Sequence, residues 1–525
     1  MRPAFVTFIL LTVLIMLAAL LVIGQANWRD PWFLFRRRPR NVLAWLLTGL
    51  VGLSYLDAAW NSTGHVTCDF ASQWLIGRMF FTGRAHELYL VGPEKEVLSQ
   101  GYHDQDWTKM VRDILRKGRS EIADDEVEGP LYPPTHGLVM MPFSMLEPRA
   151  AHAVLTLIYV QLVFLCGFLI RDITQGRIQA GEAALICMVF PNFAGGIVLG
   201  QNSSLTLTIA TAGWWFWSRG RPWLAGLVWG LLAYKPVFAV ALLWVPVMLL
   251  SGRFLAGMIT SGMGFVAATL PFTGLAAWLR WFEVGRHAAE LYERDANWVW
   301  MSRDLISLPR RQLWDWDHFW PHVELITAQR EFDFDTLQQV QNGPWLTALG
   351  LALWLGVILS TIGLVALIHR VDRSRGRFGF QKVFGPRPAF LLFGALLTTY
   401  HFMHYDLQPM ALPMCLLLAH LDRMSRFAQG LLISVNLALV YCHMDLSMGH
   451  GSVRIPFETL LLLCVWAWSG ILALREALSA GSLASVGEGC QVSPSDDGSS
   501  PPEVLAGSGT FSSCSTSERQ NGQND

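Results

Sequence analysis

Charged side chains are scarce in this sequence. Asp, Glu, Lys and Arg together make up 15% of the 525 residues, whereas 52% of the residues are hydrophobic. A soluble globular domain usually has about 25% charged residues, so this composition is not typical of one. Apolar stretches of about 20 residues, the length that crosses the hydrocarbon core of a bilayer, recur along most of the chain. The sequence therefore predicts a polytopic membrane protein.

Several motifs that carry known chemistry are also missing. The eight cysteines form no CxxC pair and no Cys/His cluster, so neither a zinc site nor a disulfide framework is indicated. The formal net charge is -1, and no basic arm stands out, which argues against nucleic acid as a partner. No Gly-rich nucleotide-binding loop is present. We therefore expect no cofactor and no metal.

The basic residues that are present gather in alternate connections between the apolar stretches. Short cytoplasmic loops of membrane proteins are enriched in Lys and Arg. Basic clusters surround Arg38, Arg219 and Arg387, whereas residues 200–202 and 401–408 contain no Lys or Arg. Placing every basic connection inside gives one topology for the whole chain. It predicts a multi-pass protein of the cytoplasmic membrane with two long segments on the extracytoplasmic side.

This topology divides the chain into six parts. They are an N-terminal transmembrane helix pair (1–60), a first extracytoplasmic loop (61–148), transmembrane helices (149–275), a second extracytoplasmic loop (276–344), C-terminal transmembrane helices (345–475) and a disordered cytoplasmic tail (476–525). The predicted fold class is all-α, with roughly 10–13 transmembrane helices and amphipathic helices in the outer loops. Residues 223–233 and 389–400 are too short to span alone, which predicts tilted, broken or re-entrant helices around a cavity.

The first outer loop contains a candidate catalytic residue, Asp69. It begins a segment, residues 68–89, in which aromatic side chains recur at helical spacing, as in an amphipathic helix at a membrane surface. Asp69 could be a helix N-cap that accepts hydrogen bonds from otherwise unpaired backbone amides. It could also be a general base beside a membrane-bound substrate. The residues alone leave both interpretations open.

Two further segments place polar residues among apolar ones. Lys235 lies between apolar helices, where an ammonium group either meets an anion or a wet cavity, or snorkels to the membrane surface. His401, His404 and Asp406 lie in an outer connection without basic residues. A His-rich, partly apolar pocket suits a phosphate or a sugar hydroxyl. Interfacial packing of His404 and Tyr405 is the alternative.

The order and spacing of short segments along the chain are more informative than any one of them. The segments are Asp69-Phe70, Gly77-Arg78, residues 83–89, Tyr132-Pro133-Pro134 with Pro142, Gly200-Gln201-Asn202, Ala225-Gly226, Tyr234-Lys235-Pro236 and His404-Tyr405-Asp406-Leu407. Together they cover most of residues 68–413. In this combination the chain resembles glycosyltransferase family 87, whose members are membrane enzymes of the GT-C fold that use polyprenyl-phosphate sugars, usually polyprenyl-phosphate mannose.

The resemblance implies an inverting hexosyltransferase, with a polyprenyl-phosphate sugar as donor and a glycolipid or glycan as acceptor. Asp69 occupies the place of the catalytic base, and His404 is the nearest match to a histidine that contacts the donor phosphate. The other candidate substrate-binding residues are Arg78, Lys235, Tyr405 and Asp406. Family members often have a His-His pair where this chain has His404-Tyr405. Arg78 lies nine residues beyond Asp69, about two and a half helical turns, which places it on the opposite face of a straight helix.

A transporter or flippase of lipid-linked sugars is the main alternative function. Such a protein also needs apolar helices, broken segments and charges within the membrane. The internal repeat that is usual in transporters is not visible in this sequence. Transfer of sugar from a polyprenyl-phosphate hexose to an acceptor would indicate a transferase, whereas movement across liposomes without covalent change would indicate a flippase.

Overall fold

A computed structural model of the chain describes residues 37–61, 68–102, 123, 125–191, 193–294, 299, 301–313, 344–374, 382–401, 403–448 and 457–479. The first predicted apolar helix, much of the second predicted outer loop and the predicted tail beyond residue 479 lie outside the described residues. Within these ranges every named element is a helix, and the only β pairings are two isolated bridges. The predicted all-α class is confirmed.

The α-helices are numbered in chain order. In the first half they are α1 (Arg37–Asn61), α2 (Cys68–Phe81), α3 (Val91–Ser99), α4 (Pro134–Met140), α5 (Pro148–Ile173), α6 (Ala180–Val189), α7 (Phe193–Leu199), α8 (Ser203–Ser218) and α9 (Pro222–Gly230). In the second half they are α10 (Pro236–Met248), α11 (Gly252–Arg294), α12 (Leu308–Leu313), α13 (Pro344–Ser374), α14 (Pro386–Leu397), α15 (Ala411–Leu418), α16 (Arg426–Met448) and α17 (Glu458–Ser479).

Five of the described helices are long and apolar enough to cross a membrane. They are Pro39–Asn61 within α1, α5, Gly252–Ala289 within α11, α13 and α17. These helices confirm a polytopic membrane protein. Helix α11 is interrupted at Gly274, whose φ of 62° and ψ of 177° are accessible to glycine and strained for other residues. The break lies beside the boundary at which the sequence predicts that the second outer loop begins.

Short apolar helices form two hairpins. In the first hairpin, α9 continues through a 3₁₀ turn (Leu231–Tyr234) to Lys235, and α10 runs back from there. Gly226 and Gly230 pack closely on the start of α11, so α9 and α11 run in the same direction. In the second hairpin, α14 leads towards a 3₁₀ helix (His404–Met410), and α15 returns until the Leu416 carbonyl accepts a hydrogen bond from the Gly385 amide at 2.9 Å. The broken helices predicted at 223–233 and 389–400 are confirmed.

The ion pairs separate the charged residues into two groups at opposite ends of these helices. Pairs with at least one residue in a basic connection that the sequence assigns to the cytoplasmic side are Arg40–Glu182, Arg177–Asp422, Arg219–Asp172 and Arg387–Asp372. Pairs with at least one residue in a segment that the sequence assigns to the other side are Arg84–Glu87, Lys235–Asp406 and Arg303–Glu458. Among the described residues no ion pair joins one group to the other. The tips of both hairpins lie in the second group.

Candidate active site

An ion pair joins the tips of the two hairpins. Lys235 ends the first half of one hairpin, and its ammonium contacts the carboxylate of Asp406 at the tip of the other. The two side chains are 11% and 5% exposed, so the pair is largely buried. Oδ2 of Asp406 also accepts a hydrogen bond from the Met403 amide at 3.2 Å. A buried charge is strongly unfavourable without a partner. Lys235 therefore meets an anion here and does not reach across apolar surface to water.

Aromatic rings surround this ammonium group. Nζ of Lys235 lies 5.7 Å from the ring centroid of Tyr405 and 5.6 Å from that of Phe238. Cations at such distances are attracted to the ring faces. Tyr405 also lies against His404, with ring centroids 5.0 Å apart. The tip of the second hairpin thus places Tyr405 and Asp406 in direct contact with Lys235, and His404 beside them.

Asp69 lies close enough to Tyr132 to affect its pKa, as does Asp406 of the ion pair. Helix α2 begins at Cys68, so Asp69 lies in its first turn, and its side chain is half-buried. The Tyr132 hydroxyl donates a hydrogen bond to Oε1 of Gln201 at 2.8 Å. Burial raises the pKa of Tyr132 well above its ordinary value, and the carboxylates of Asp69 and Asp406 raise it further. One phenol therefore lies within electrostatic reach of both carboxylates.

Gln73 fixes the start of α2 to the surrounding elements. Its Nε2 donates to the carbonyl oxygens of Asp69 at 3.2 Å and of Gly200 at 2.9 Å. Its Oε1 lies 3.0 Å from Nε2 of His136 and 3.4 Å from Nδ2 of Asn202. The Gln73, His136 and Asn202 side chains are fully buried. This network holds the backbone of Asp69 against the break between α7 and α8.

His401 lies next to the second hairpin tip and close to two carboxylates. Its Nδ1 is 3.9 Å from Oδ2 of Asp304. Burial lowers the pKa of His401 and Lys235 lowers it further, whereas Asp304 and Asp406 act in the opposite direction. The net effect is a lowered pKa, which favours the neutral form of the His401 ring. A neutral ring can donate one hydrogen bond and accept another.

A segment after α11 supports the second hairpin tip. Ser302 and Met403 form an isolated antiparallel bridge, so this segment runs along the tip. Nε of Arg303 lies 3.4 Å from Oε2 of Glu458, and both side chains are fully buried. Nη2 of Arg311 donates to the Thr459 hydroxyl at 3.0 Å. These contacts connect the segment to the first turn of α17, which helps to hold the tip in place.

Arg78 lies outside the cluster. Its Nη1 donates to the Ser144 carbonyl oxygen and its Nε to Oε1 of Gln100, each at 3.2 Å. The guanidinium carbon is 5.8 Å from the ring centroid of Trp74 and 5.2 Å from that of Phe81. Helical geometry explains the difference, since two and a half turns turn Arg78 away from the face that carries Asp69. We therefore leave Arg78 out of the proposed donor site.

The structure brings most of the other predicted site residues together and adds some that the sequence did not reveal. Lys235 contacts Asp406 and lies 5.7 Å from the Tyr405 ring centroid, and the carboxylates of Asp69 and Asp406 both raise the pKa of Tyr132. The residues that the sequence analysis missed are Gln73 and His136, each a single polar side chain within apolar surroundings. The one available signal was the spacing of four residues between Asp69 and Gln73, which places these two side chains on the same face of a helix. Among the described residues, no group of three or more His, Cys, Asp or Glu side chains is arranged to hold a metal ion.

Comparison with known proteins gives one match. The model of glycosyltransferase family 87 matches residues 131–318, a little over a third of the chain. This segment includes Tyr132, His136 and Lys235, while Asp69 and Asp406 lie outside it. Searches of curated proteins and of solved structures found no match. The resemblance recognised in the sequence is thus confirmed over residues 131–318, and the match to glycosyltransferase family 87 indicates that the chain is a membrane glycosyltransferase.

Proposed function

We propose that this protein transfers a hexose, specifically mannose, from a polyprenyl-phosphate carrier to a glycolipid or glycan acceptor, with inversion at the anomeric carbon. The reaction takes place on the extracytoplasmic side of the cytoplasmic membrane. The observation that carries the proposal is the polar cluster of Asp69, Tyr132, Lys235 and Asp406 where helices break inside an apolar bundle. Charged groups within a membrane protein are costly and usually serve function.

In this mechanism Asp69 is the general base. Its carboxylate takes the proton from the acceptor hydroxyl as that oxygen attacks the anomeric carbon of the hexose. The bond from the anomeric carbon to the phosphate oxygen breaks on the opposite face, and polyprenyl phosphate leaves with the bonding electrons. The half-buried position of Asp69 in the first turn of α2 supports this role, because a substrate can reach the carboxylate while Gln73 fixes its backbone.

The donor phosphate in this proposal lies at the second hairpin tip. Negative charge develops on the leaving phosphate, so preorganised cations and hydrogen-bond donors around it lower the barrier. Lys235 supplies an ammonium group that Asp406 and the ring of Tyr405 hold in position. His404 begins the 3₁₀ helix at the same tip and occupies the place of the phosphate-binding histidine that the family resemblance implies. The lipid tail then lies along the apolar helices.

Replacement of Asp69 by Asn tests the base role. We expect Asp69→Asn to lower the transfer rate by about a hundredfold or more, because an amide cannot take a proton while general-base catalysis typically contributes that much. The assay follows mannose transfer from polyprenyl-phosphate mannose to a cell glycolipid extract by purified protein. Asp57→Asn is the matched control, since Asp57 bonds only its exposed neighbour Asn61 among the contacts of the described residues.

Two results would contradict the proposal. More than about a tenth of the normal rate in Asp69→Asn would remove Asp69 as the base, and an N-cap alone predicts that outcome because Asn caps nearly as well as Asp. Movement of polyprenyl-phosphate mannose across liposomes containing the wild-type protein, without any covalent change, would indicate a flippase. Broken helices with a buried ion pair are also found in transporters, so both assays belong in the same series.

A further inference from the structure

The network around Gln73 determines which atoms carry protons. Nε2 of Gln73 contacts two carbonyl oxygens, of Asp69 and Gly200, and a carbonyl oxygen only accepts hydrogen bonds. The other end of the amide is therefore the oxygen, which accepts from Nε2 of His136 at 3.0 Å and from Nδ2 of Asn202 at 3.4 Å. His136 must carry a proton on Nε2. The amide orientation and the histidine tautomer follow from the partners alone.

His136 carries no second proton at neutral pH. Burial lowers the pKa of His136 to about 3, and the nearby Lys235 contributes to the shift. A neutral imidazole with its proton on Nε2 presents Nδ1 as an acceptor. Asn202 likewise has one acceptor left, because its Nδ2 donates to Gln73 and its Oδ1 can only accept. The network therefore ends in two acceptors that face away from Gln73.

Both acceptors are buried without a donor. Neither Nδ1 of His136 nor Oδ1 of Asn202 has a hydrogen-bond partner among the described residues, and both side chains are 0% exposed. Native proteins leave few buried polar atoms in this state because the loss of hydration is not compensated. Two side chains that donate to the same Gln73 oxygen therefore each have an unsatisfied acceptor. This pattern points to a ligand that supplies hydroxyl donors.

The position of these acceptors connects them with the proposed active site. The His136 ring stacks on Tyr132 with centroids 4.4 Å apart and on Tyr234 with centroids 5.8 Å apart. Tyr132 is half-buried and lies within reach of the carboxylates of Asp69 and Asp406. Tyr132 thus relates the His136 ring to the two carboxylates of the proposed active site.

We propose that Nδ1 of His136 and Oδ1 of Asn202 form a subsite that accepts hydrogen bonds from sugar hydroxyl groups. The inference rests on the proposed function, since it assigns a further part of the same active site. Its chemistry is specific: the subsite takes O–H donors and offers nothing to a phosphate, which has only acceptor oxygens at neutral pH. The hydroxyls belong either to the donor hexose or to the sugar of the acceptor.

His136→Gln tests this subsite. Gln retains an N–H group that can reach Gln73 but has no atom equivalent to Nδ1. Binding is measured in the Asp69→Asn background, so that no turnover occurs, using full-length protein in nanodiscs. The two probes are polyprenyl-phosphate mannose and polyprenyl phosphate without a sugar. We expect His136→Gln to lower the affinity for the mannose-bearing lipid by about three- to tenfold, which is the effect of one net hydrogen bond. The affinity for the sugar-free lipid should not change.

A second arm identifies the source of the hydroxyl. With Asp69 intact, the KM for a synthetic alkyl mannoside as acceptor is compared between wild type and His136→Gln. A rise of about three- to tenfold in this KM, with unchanged affinity for the donor lipid, assigns the subsite to the acceptor sugar. Thr208→Val is the matched control: Thr208 is a buried hydroxyl on α8 whose contacts are the Ser204 carbonyl and Cys166, outside the cluster. It should leave both measurements unchanged.

An equal loss of affinity for both lipids would show that His136 has only a structural role, and this would contradict the proposed subsite. Unchanged affinities together with an unchanged acceptor KM would also overturn it, because the two acceptors would then serve an internal water molecule alone. Asn202→Ala gives an independent reading of the same subsite if His136→Gln does not fold. If the wild-type protein neither binds these lipids nor transfers sugar, the proposed function itself is wrong. If the wild-type protein is active and His136→Gln has no effect, only the proposed subsite is wrong.

Discussion

At the scale of single residues, the pair of Lys235 and Asp406 is the clearest example of a charge that depends on its partner. Both side chains are largely buried, and each belongs to a different hairpin. Removing one partner of a buried pair leaves an uncompensated charge, which typically costs about 3–5 kcal/mol. Replacing both partners by neutral groups of similar volume is often much less harmful. The contribution of this pair to the stability of the fold can therefore be measured separately from its contribution to sugar transfer.

Single and double replacements should show this separation. We expect Lys235→Met to lower the melting temperature of the purified protein in detergent, because Asp406 is left buried without a cation. The double variant Lys235→Met/Asp406→Asn should regain most of that loss in a thermal melt. Transfer from polyprenyl-phosphate mannose should remain lost in both variants, since neither offers an ammonium group to the phosphate. Recovery of activity in the double variant would mean that the pair has a structural role only.

The sequence reveals individual site residues when their chemistry conflicts with their surroundings. Lys235 and Asp406 stand out because charges are rare within apolar stretches, and Asp69 stands out through its place in the first outer loop. Gln73 and His136 give no such signal. Their importance comes from contacts across 63 and 127 residues of chain, from Gln73 to His136 and to Gly200, which local pattern cannot predict. The position of Arg78 follows from helical geometry alone.

At the scale of elements, the break between α7 and α8 holds α2 in place. Gly200 has a φ of +71°, and its carbonyl oxygen accepts the hydrogen bond from Gln73. A Cβ at Gly200 would lie 2.7 Å from Cβ of Phe70, the residue that follows Asp69. Because Cβ is fixed to the backbone, α2 itself would have to move. Gly220 has a similar φ of +67°, but nothing lies within 4 Å of a Cβ built there.

These two glycines form a matched pair for an experiment. Gly220→Ala should cost about 1–2 kcal/mol, the usual penalty for a left-handed alanine, and leave the transfer rate unchanged. Gly200→Ala should cost more than this, because the clash with Phe70 adds to the penalty, and it should also slow transfer, because the displaced α2 carries Asp69. Melting temperature and initial transfer rate of both variants are the measurements. Equal rates in the two variants would show that the contact between Gly200 and Phe70 does not position Asp69.

The elements themselves could be predicted in part. The five long helices follow from apolar stretches of sufficient length, and the two short hairpins follow from stretches that are too short to cross alone. The way the first hairpin packs against α11 does not follow. It depends on small residues such as Gly226, where a Cβ would lie 2.1 Å from the Phe254 carbonyl oxygen. Such close packing is a property of two helices together, which a single apolar pattern does not encode.

At the scale of the whole molecule, the ion pairs sort the charged residues into two ends. Basic residues such as Arg177, Arg219 and Arg387 lie at one end, and the candidate active site lies at the other. The excess of Lys and Arg in cytoplasmic loops assigns the first end to the cytoplasm. The sequence thus predicts both the separation and its direction. The separation is observed in the fold, and the direction can be tested by labelling.

Glu147 and Ser374 are suitable positions for this test. Glu147 is exposed just before α5 and belongs to the predicted outer end, whereas Ser374 is exposed at the last residue of α13 and belongs to the predicted inner end. In sealed cells, a cysteine in Glu147→Cys should react with an impermeant maleimide, and one in Ser374→Cys should react only after the cells are opened. The unmodified chain measures labelling of native cysteines. The reverse pattern would place the candidate active site in the cytoplasm.

The length of the short hairpins determines the depth in the membrane at which the proposed reaction takes place. Pro222–Tyr234 has 13 residues, which corresponds to about 20 Å at 1.5 Å per residue, whereas the hydrocarbon core is about 30 Å thick. If Arg219 and Arg221 lie at the cytoplasmic surface, as the sequence predicts, the tip at Lys235 stops about 10 Å short of the opposite surface. We propose that the active site, which includes the ion pair, then lies below the level of the lipid head groups. We expect the acceptor to be slender, such as the terminal sugar of a glycolipid or the end of an extended glycan, because the surface of a folded protein cannot descend into it.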